Sequence, residues 1–120
     1  MRKLALLFAA VGAAFIAVVP AAALAPPARM QVGATEFNLG LSRHTIKAGR
    51  ALIELANYGE DPHDLRLRRI GGTKIWGTRI VAPEDTAVLS AKLPPGRYRL
   101  WCSIADHRAK GMSALLTVHR

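Results

Sequence analysis

Near the C-terminus of this 120-residue chain stands Cys102-Ser-Ile-Ala-Asp-His107-Arg-Ala-Lys-Gly-Met112, a Cys-x4-His-x4-Met run. Upstream, the loop Asn57-Tyr58-Gly59-Glu60-Asp61-Pro62 closes on His63 and Asp64. A thiolate, two imidazoles and a thioether form a donor set suited to copper. Sulfur ligands favour copper(I), imidazoles suit copper(II), and a site offering both can hold either state. That property serves one-electron transfer. Taken singly, each residue has a plainer explanation. A lone cysteine is more often a small buried hydrophobe. His107 alone would be a surface histidine, Met112 core filler, and His63 the cap of a loop. It is their combination, order and spacing that point to one metal ion.

Cys102 is the only cysteine, so the chain cannot cross-link itself with a disulfide. The N-terminus makes this significant. Met1-Arg2-Lys3 is followed by the apolar run Leu4 to Val19, then Pro20 and Ala21-Ala22-Ala23-Leu24-Ala25. This is the charged, apolar, small-residue order of a secretory signal. Cleavage is expected after Ala23 or Ala25. The alternative is an uncleaved anchor, since the uncharged stretch is long enough to span a bilayer. Either way residues 1–25 are expected to direct the domain out of the cytoplasm, to the periplasm or cell surface. An unpaired thiol there is a liability unless it is buried or ligated.

The ligands must be positioned by what remains. Residues 26–30 read as a linker, and residues 31–120 as one domain with room for a single modest core. The pattern is of short strands separated by turns. Thr35–Leu39 alternates polar and apolar residues. Ala51, Ile53 and Leu55 share a face, as do Leu65 and Leu67, then Ala87, Leu89, Ala91 and Leu93, then Tyr98, Leu100 and Cys102. Gly71-Gly72, Pro83-Glu84-Asp85 and Pro94-Pro95-Gly96 are turn signals. Ile75–Val81 and Ala114–Val118 are further strand-like runs. Nothing in the mature part keeps a helical period. The expectation is an all-β, antiparallel Greek-key sandwich of six to eight strands. Cys102 ends a strand with its sulfur turned inward, and His107 and Met112 follow on the next loop. Tyr98 is expected to bond back to a turn, and Asn57 to fix its own loop. His44 and His119 read as surface residues.

The segments Asn57-x-Gly59-x-Asp61-Pro62-His63-Asp64 and Leu93-Pro94-Pro95-Gly96-Arg97-Tyr98-Arg99-Leu100-Trp101-Cys102-x4-His107-x4-Met112 resemble the small bacterial blue-copper proteins. These are cupredoxins of the plastocyanin, azurin and auracyanin type, and the resemblance runs from about Gln31 to Val118. It implies one type 1 copper ion. His63 and His107 would bind through ring nitrogens, Cys102 through its thiolate and Met112 as the weak axial ligand. It also implies single-electron transfer between larger redox proteins. The x4/x4 spacing is closer to auracyanin or rusticyanin than to plastocyanin or azurin. A second departure is Asp64, where the family usually has an Asn that ties the ligand loops together. A carboxylate there can still accept N–H bonds, and its charge is expected to favour copper(II).

The formal charge of +9 becomes +7 once Arg2 and Lys3 leave with the leader. The basic residues are scattered, and Arg66, Arg68 and Arg69 form the one tight cluster, read as a solvated face. This argues against nucleic acid and for a redox partner with an acidic docking surface. Pro62, Ile104, Ala105 and Met112 are expected to form an apolar patch around His107, rimmed by Arg108 and Lys110. Four protein ligands leave no open metal position for a substrate, so no enzymatic activity is expected. The chain is expected to be a monomer, touching membrane only through an uncleaved leader. The alternatives are an extracytoplasmic copper carrier or storage protein using the same ligands, a metal-free assembly module, and an anion-binding protein.

Overall fold

The computed structural model describes residues 1–18 and 25–120. Residues 1–18 form neither helix nor strand, and no helix of the described residues is long and apolar enough to cross a membrane. Ala23, one of the two expected cleavage positions, lies outside the described residues.

From Ala28 onward the chain is built of strands: β1 (Ala28–Thr35), β2 (Asn38–Leu41), β3 (Thr45–Lys47), β4 (Gly49–Asn57), β5 (Arg66–Arg69), β6 (Ile75–Gly77), β7 (Thr86–Leu93), β8 (Gly96–Trp101) and β9 (Ser113–His119). They form two sheets, of order β2-β1-β4-β7 and β3-β9-β8-β5-β6. The period-two positions face inward as expected: Ala51, Ile53 and Leu55 from β4, Leu89, Ala91 and Leu93 from β7, Leu67 from β5, Tyr98 and Leu100 from β8. With Val32, Leu116 and others they make one core between the sheets. Cys102 and Met112 belong to that core cluster.

The sheets are mixed rather than purely antiparallel. β1 runs parallel to β4, from Ala28↔Ala51 to Ala34↔Asn57, and β3 runs parallel to β9. β1 therefore begins inside the segment read as a linker. Met30 is buried, so its apolar side chain and its pairing to β4 decide the strand's start, against the Pro26-Pro27 signal. The alternation at Thr35–Leu39 is not one strand. Glu36 and Phe37 form the turn that joins β1 to β2, and Thr35↔Asn38 is the last pair of the hairpin.

Two tyrosine and asparagine expectations hold. The Tyr98 hydroxyl donates to the Pro94 carbonyl at 2.6 Å, closing the turn before β8. Asn57, at the end of β4, donates from Nδ2 to the Asp61 and Val81 carbonyls at 2.8 and 3.0 Å. Its Oδ1 accepts from the Gly59 N–H at 2.8 Å. One buried amide thus shapes the whole loop that carries His63. His44 and His119 are exposed.

Candidate metal centre

The remote ligand candidate comes first in the chain. After the Asn57 loop, His63 makes a two-way backbone bridge to Val81, N–H to carbonyl at 3.1 Å and 2.7 Å. This fixes the His63 backbone before β5 begins. Its ring is fully buried.

The other three candidates share the loop between β8 and β9. Cys102 continues the inward face of Tyr98 and Leu100, so its sulfur is buried. The loop then folds on itself in successive turns. The His107 N–H donates to the Ile104 carbonyl at 3.1 Å, the Met112 N–H to the His107 carbonyl at 3.1 Å, and the Cys102 N–H to the Met112 carbonyl at 3.2 Å. The last bond closes the loop and sets Met112 beside Cys102 at its base. Gly111 makes the closure possible. Its φ of 116° is a left-handed value that glycine tolerates, and a β-carbon there would crowd the Phe37 carbonyl at 3.3 Å.

The structure brings His63, Cys102 and His107 together, with their donor atoms all within 4.8 Å of one another. The Cys102 sulfur lies 3.8 Å from His63 Nδ1 and 3.6 Å from His107 Nδ1. These separations suit a shared ion. A first-row metal about 2.3 Å from sulfur and about 2.0–2.1 Å from an imidazole nitrogen sets the two donors about 3.6–3.8 Å apart at tetrahedral to trigonal angles. Both rings offer the same nitrogen to the centre. The imidazoles are tilted, with centroids 5.0 Å apart. Met112 is fully buried in the core cluster to which Cys102 also belongs. His107 keeps only 6% of its surface and is the ligand candidate nearest to solvent.

Polar groups surround this donor set. Asp64 accepts the Ser103 N–H at 2.7 Å through Oδ1, and its Oδ2 bonds the Ser103 hydroxyl. Arg66 pairs with the same Oδ2 at 3.2 Å. A residue adjacent to His63 is thereby tied to the residue after Cys102, so a carboxylate joins the two ligand loops. Burial pushes the Cys102 thiol above its usual range, while N–H groups of Asp64 and Ile104 pull it back. A metal entering the site must therefore displace the thiol proton.

Glu36 is not legible as a site residue in the sequence, where the Thr35–Leu39 alternation reads as one strand. From the β1–β2 turn its Oε1 lies 3.0 Å from His63 Nε2. The adjacent Phe37 packs against the His107 ring, centroids 5.1 Å apart. No local motif marks this turn, because its partners lie far along the chain. The expected docking patch is also altered. Pro62 and Ala105 are exposed and Ile104 half-buried, but Met112 is wholly interior and contributes no surface. Its side chain is packed within the core cluster, where burial of an apolar side chain contributes about 1.5–3 kcal/mol. Arg108 lies over the Trp101 ring at 4.5 Å, with Arg68 at 5.9 Å. Trp101 thus packs on the outer face, away from the cysteine sulfur.

In sequence the chain matches no protein-family model and no curated protein. In three dimensions it is similar to reduced auracyanin from the photosynthetic bacterium Roseiflexus castenholzii. The TM-score is 0.64 at 17% identity, over 80% of this chain and all of that one (100%). It is also similar to an azurin from the obligate methylotroph Methylomonas sp. strain J, with TM-score 0.62, 14% identity, and 78% and 98% of the two chains covered. Auracyanin B gives TM-score 0.63 at 15% identity, covering 80% and 92%. The chain shares their cupredoxin β-sandwich, the fold its sequence resemblance implied.

Proposed function

We propose that this cupredoxin-fold chain is a type 1 copper protein that carries single electrons between redox proteins outside the cytoplasm. The observation that carries this reading is the buried cluster of one sulfur and two Nδ1 atoms at 3.6–3.8 Å. His63, His107 and Cys102 would supply three strong donors, and Met112, buried in the core beside them, a weaker fourth. Bound there, copper supplies a one-electron couple between its +1 and +2 states.

The protein's own part is to hold the donors still. Asn57, the His63–Val81 bridge and the Asp64–Ser103 bonds fix the backbone on both sides of the site. A frame that does not move between oxidation states lowers the reorganisation that each transfer requires. Burial of His63, Cys102 and Met112 excludes water and substrate, which supports a carrier of electrons rather than a catalyst. The same burial supports retention of copper over its rapid hand-over, and so favours the shuttle over the copper-carrier alternative.

The electron would enter and leave through His107. Pro62 and Ala105 lie exposed near it, and Arg108 and Lys110 on the same loop add positive charge, although Lys110 is paired with Asp106 at 3.5 Å. The partner would then present an acidic surface. Location outside the cytoplasm rests on the leader pattern of residues 1–25.

Reduction and oxidation of the copper-loaded protein, followed by stopped-flow at rising ionic strength, tests this reading. We expect reversible one-electron chemistry and a rate with an acidic partner that falls with salt. Copper that leaves readily to a chelator would favour the carrier. A salt-independent rate would sink the steering role of Arg108 and Lys110.

A further inference from the structure

The two histidines are held in unlike ways, and the difference lies on the side of each ring away from the centre. His107 Nε2 is 3.7 Å from Asp61 Oδ2, beyond hydrogen-bond reach, and Asp61 is half exposed. His63 Nε2 is 3.0 Å from Glu36 Oε1, and the ring is fully buried. That same oxygen also accepts the N–H groups of Glu60 and Asp61, at 2.9 and 2.8 Å. A single carboxylate oxygen therefore gathers three donors, two from the backbone and one from the ligand ring.

We propose that Glu36 is the positioning residue of the metal centre: its carboxylate fixes the His63 tautomer, aims Nδ1 at the ion, and by its charge favours the oxidised metal. This rests on the copper reading above. Backbone N–H groups can only donate, so Oε1 is an acceptor throughout. The nitrogen facing it must then carry the proton, which leaves the Nδ1 lone pair directed at the site, 3.8 Å from the Cys102 sulfur. A carboxylate behind an imidazole also makes the ring a stronger donor to its metal. Stronger donation stabilises copper(II) more than copper(I), and lowers the potential.

The surroundings are shaped for this contact. A β-carbon at Gly59 would overlap the Glu36 carboxylate, so only glycine leaves the carboxylate where it stands. The N–H groups of Asp61 and Glu60 and the His63 ring all converge on this one oxygen, an arrangement that suits a carboxylate. Its neighbour Phe37 rests on the His107 ring. One turn of the four-stranded sheet therefore steadies both histidines, though only the His63 ring has a carboxylate within hydrogen-bond distance.

The test uses the full chain in two forms. In the metal-free parent, 15N NMR should show the His63 proton on Nε2. In the copper-loaded protein, Glu36→Gln keeps an acceptor oxygen but removes the charge. We expect it to hold one copper, keep a visible band and show a raised potential. The preference for copper(II) over copper(I) should fall, which is read directly as that rise in potential. Gly59→Ala, which displaces the carboxylate without altering it, should shift the potential the same way. Glu54→Gln, the same change on the outer face of β4, should not. A His63 proton on Nδ1, or a Glu36→Gln potential equal to the parent's, overturns the inference while leaving the copper reading intact. A parent that takes up no copper overturns that reading and this inference with it.

Discussion

Cys102, His107 and Met112 sit on one loop between adjacent strands, and its own backbone bonds close it. His63 arrives from the other side of the site, and most of what holds it lies outside its own loop. Its backbone is bridged to Val81, its loop is shaped by Asn57, its ring is backed by Glu36, and its neighbour Asp64 is tied to Ser103. The first arm is local and the second is assembled from across the chain. A local arm can be specified by spacing alone, whereas an assembled arm depends on the fold being correct everywhere else. The assembled arm should accordingly be the more fragile one, and substitutions can test that.

The largest effect is expected at the ligand itself. His63→Ala should lower copper affinity by more than the about 10–100-fold that loss of a supporting partner costs. Competition with a copper chelator measures it, and near-parent affinity would remove His63 from the site. Next is Asn57→Ala, which deletes bonds to two carbonyls and one N–H. We expect a loss of about 1–3 kcal/mol, from leaving buried groups unpaired. It should appear in urea unfolding of the metal-free protein, together with weaker copper binding. If stability falls but copper affinity does not, the loop is fixed by something other than this amide.

Smaller effects sharpen the contrast. Tyr98→Phe removes the hydroxyl bond to Pro94, remote from both arms. It should cost about 0.5–1.5 kcal/mol while leaving the copper spectrum and potential unchanged. Asp64→Asn keeps an acceptor for the Ser103 N–H but removes a negative charge beside the thiolate. A modest rise in potential is expected, and an unchanged potential would count against an electrostatic role for Asp64. Burial pushes the Cys102 thiol up, so the metal-free protein should react slowly with iodoacetamide at pH 8 and faster as pH rises through the raised value. Rapid alkylation at pH 8 would show the cysteine to be more open than its burial implies.

The same contrast explains what the sequence made legible. The Cys-x4-His-x4-Met run names three donors because they are near neighbours in the chain. Period-two alternation at Leu89, Ala91, Leu93, Tyr98 and Leu100 announces their inward faces because each strand is half buried. Asn57, with Gly59 and Pro62 around it, reads as a loop fixer from residue types alone. Other features depend on pairing between distant segments. The parallel β1–β4 register is invisible in β1, whose start is masked by Pro26-Pro27. Glu36 looked like one polar position in an alternating run, and only the fold shows that it turns a corner under His63. Met112 was expected both as a ligand and as part of a surface patch, and its complete burial is compatible only with the interior role.

Everything proposed for this protein depends on the Cys102 sulfur and the two Nδ1 atoms holding one copper ion. The visible absorption spectrum of the purified protein after addition of copper(II) tests this most directly. The account predicts an intense blue or green thiolate-to-copper band, saturating at one copper per chain and lost in Cys102→Ser. A colourless protein that retains no copper, or a band indifferent to Cys102→Ser, would contradict it.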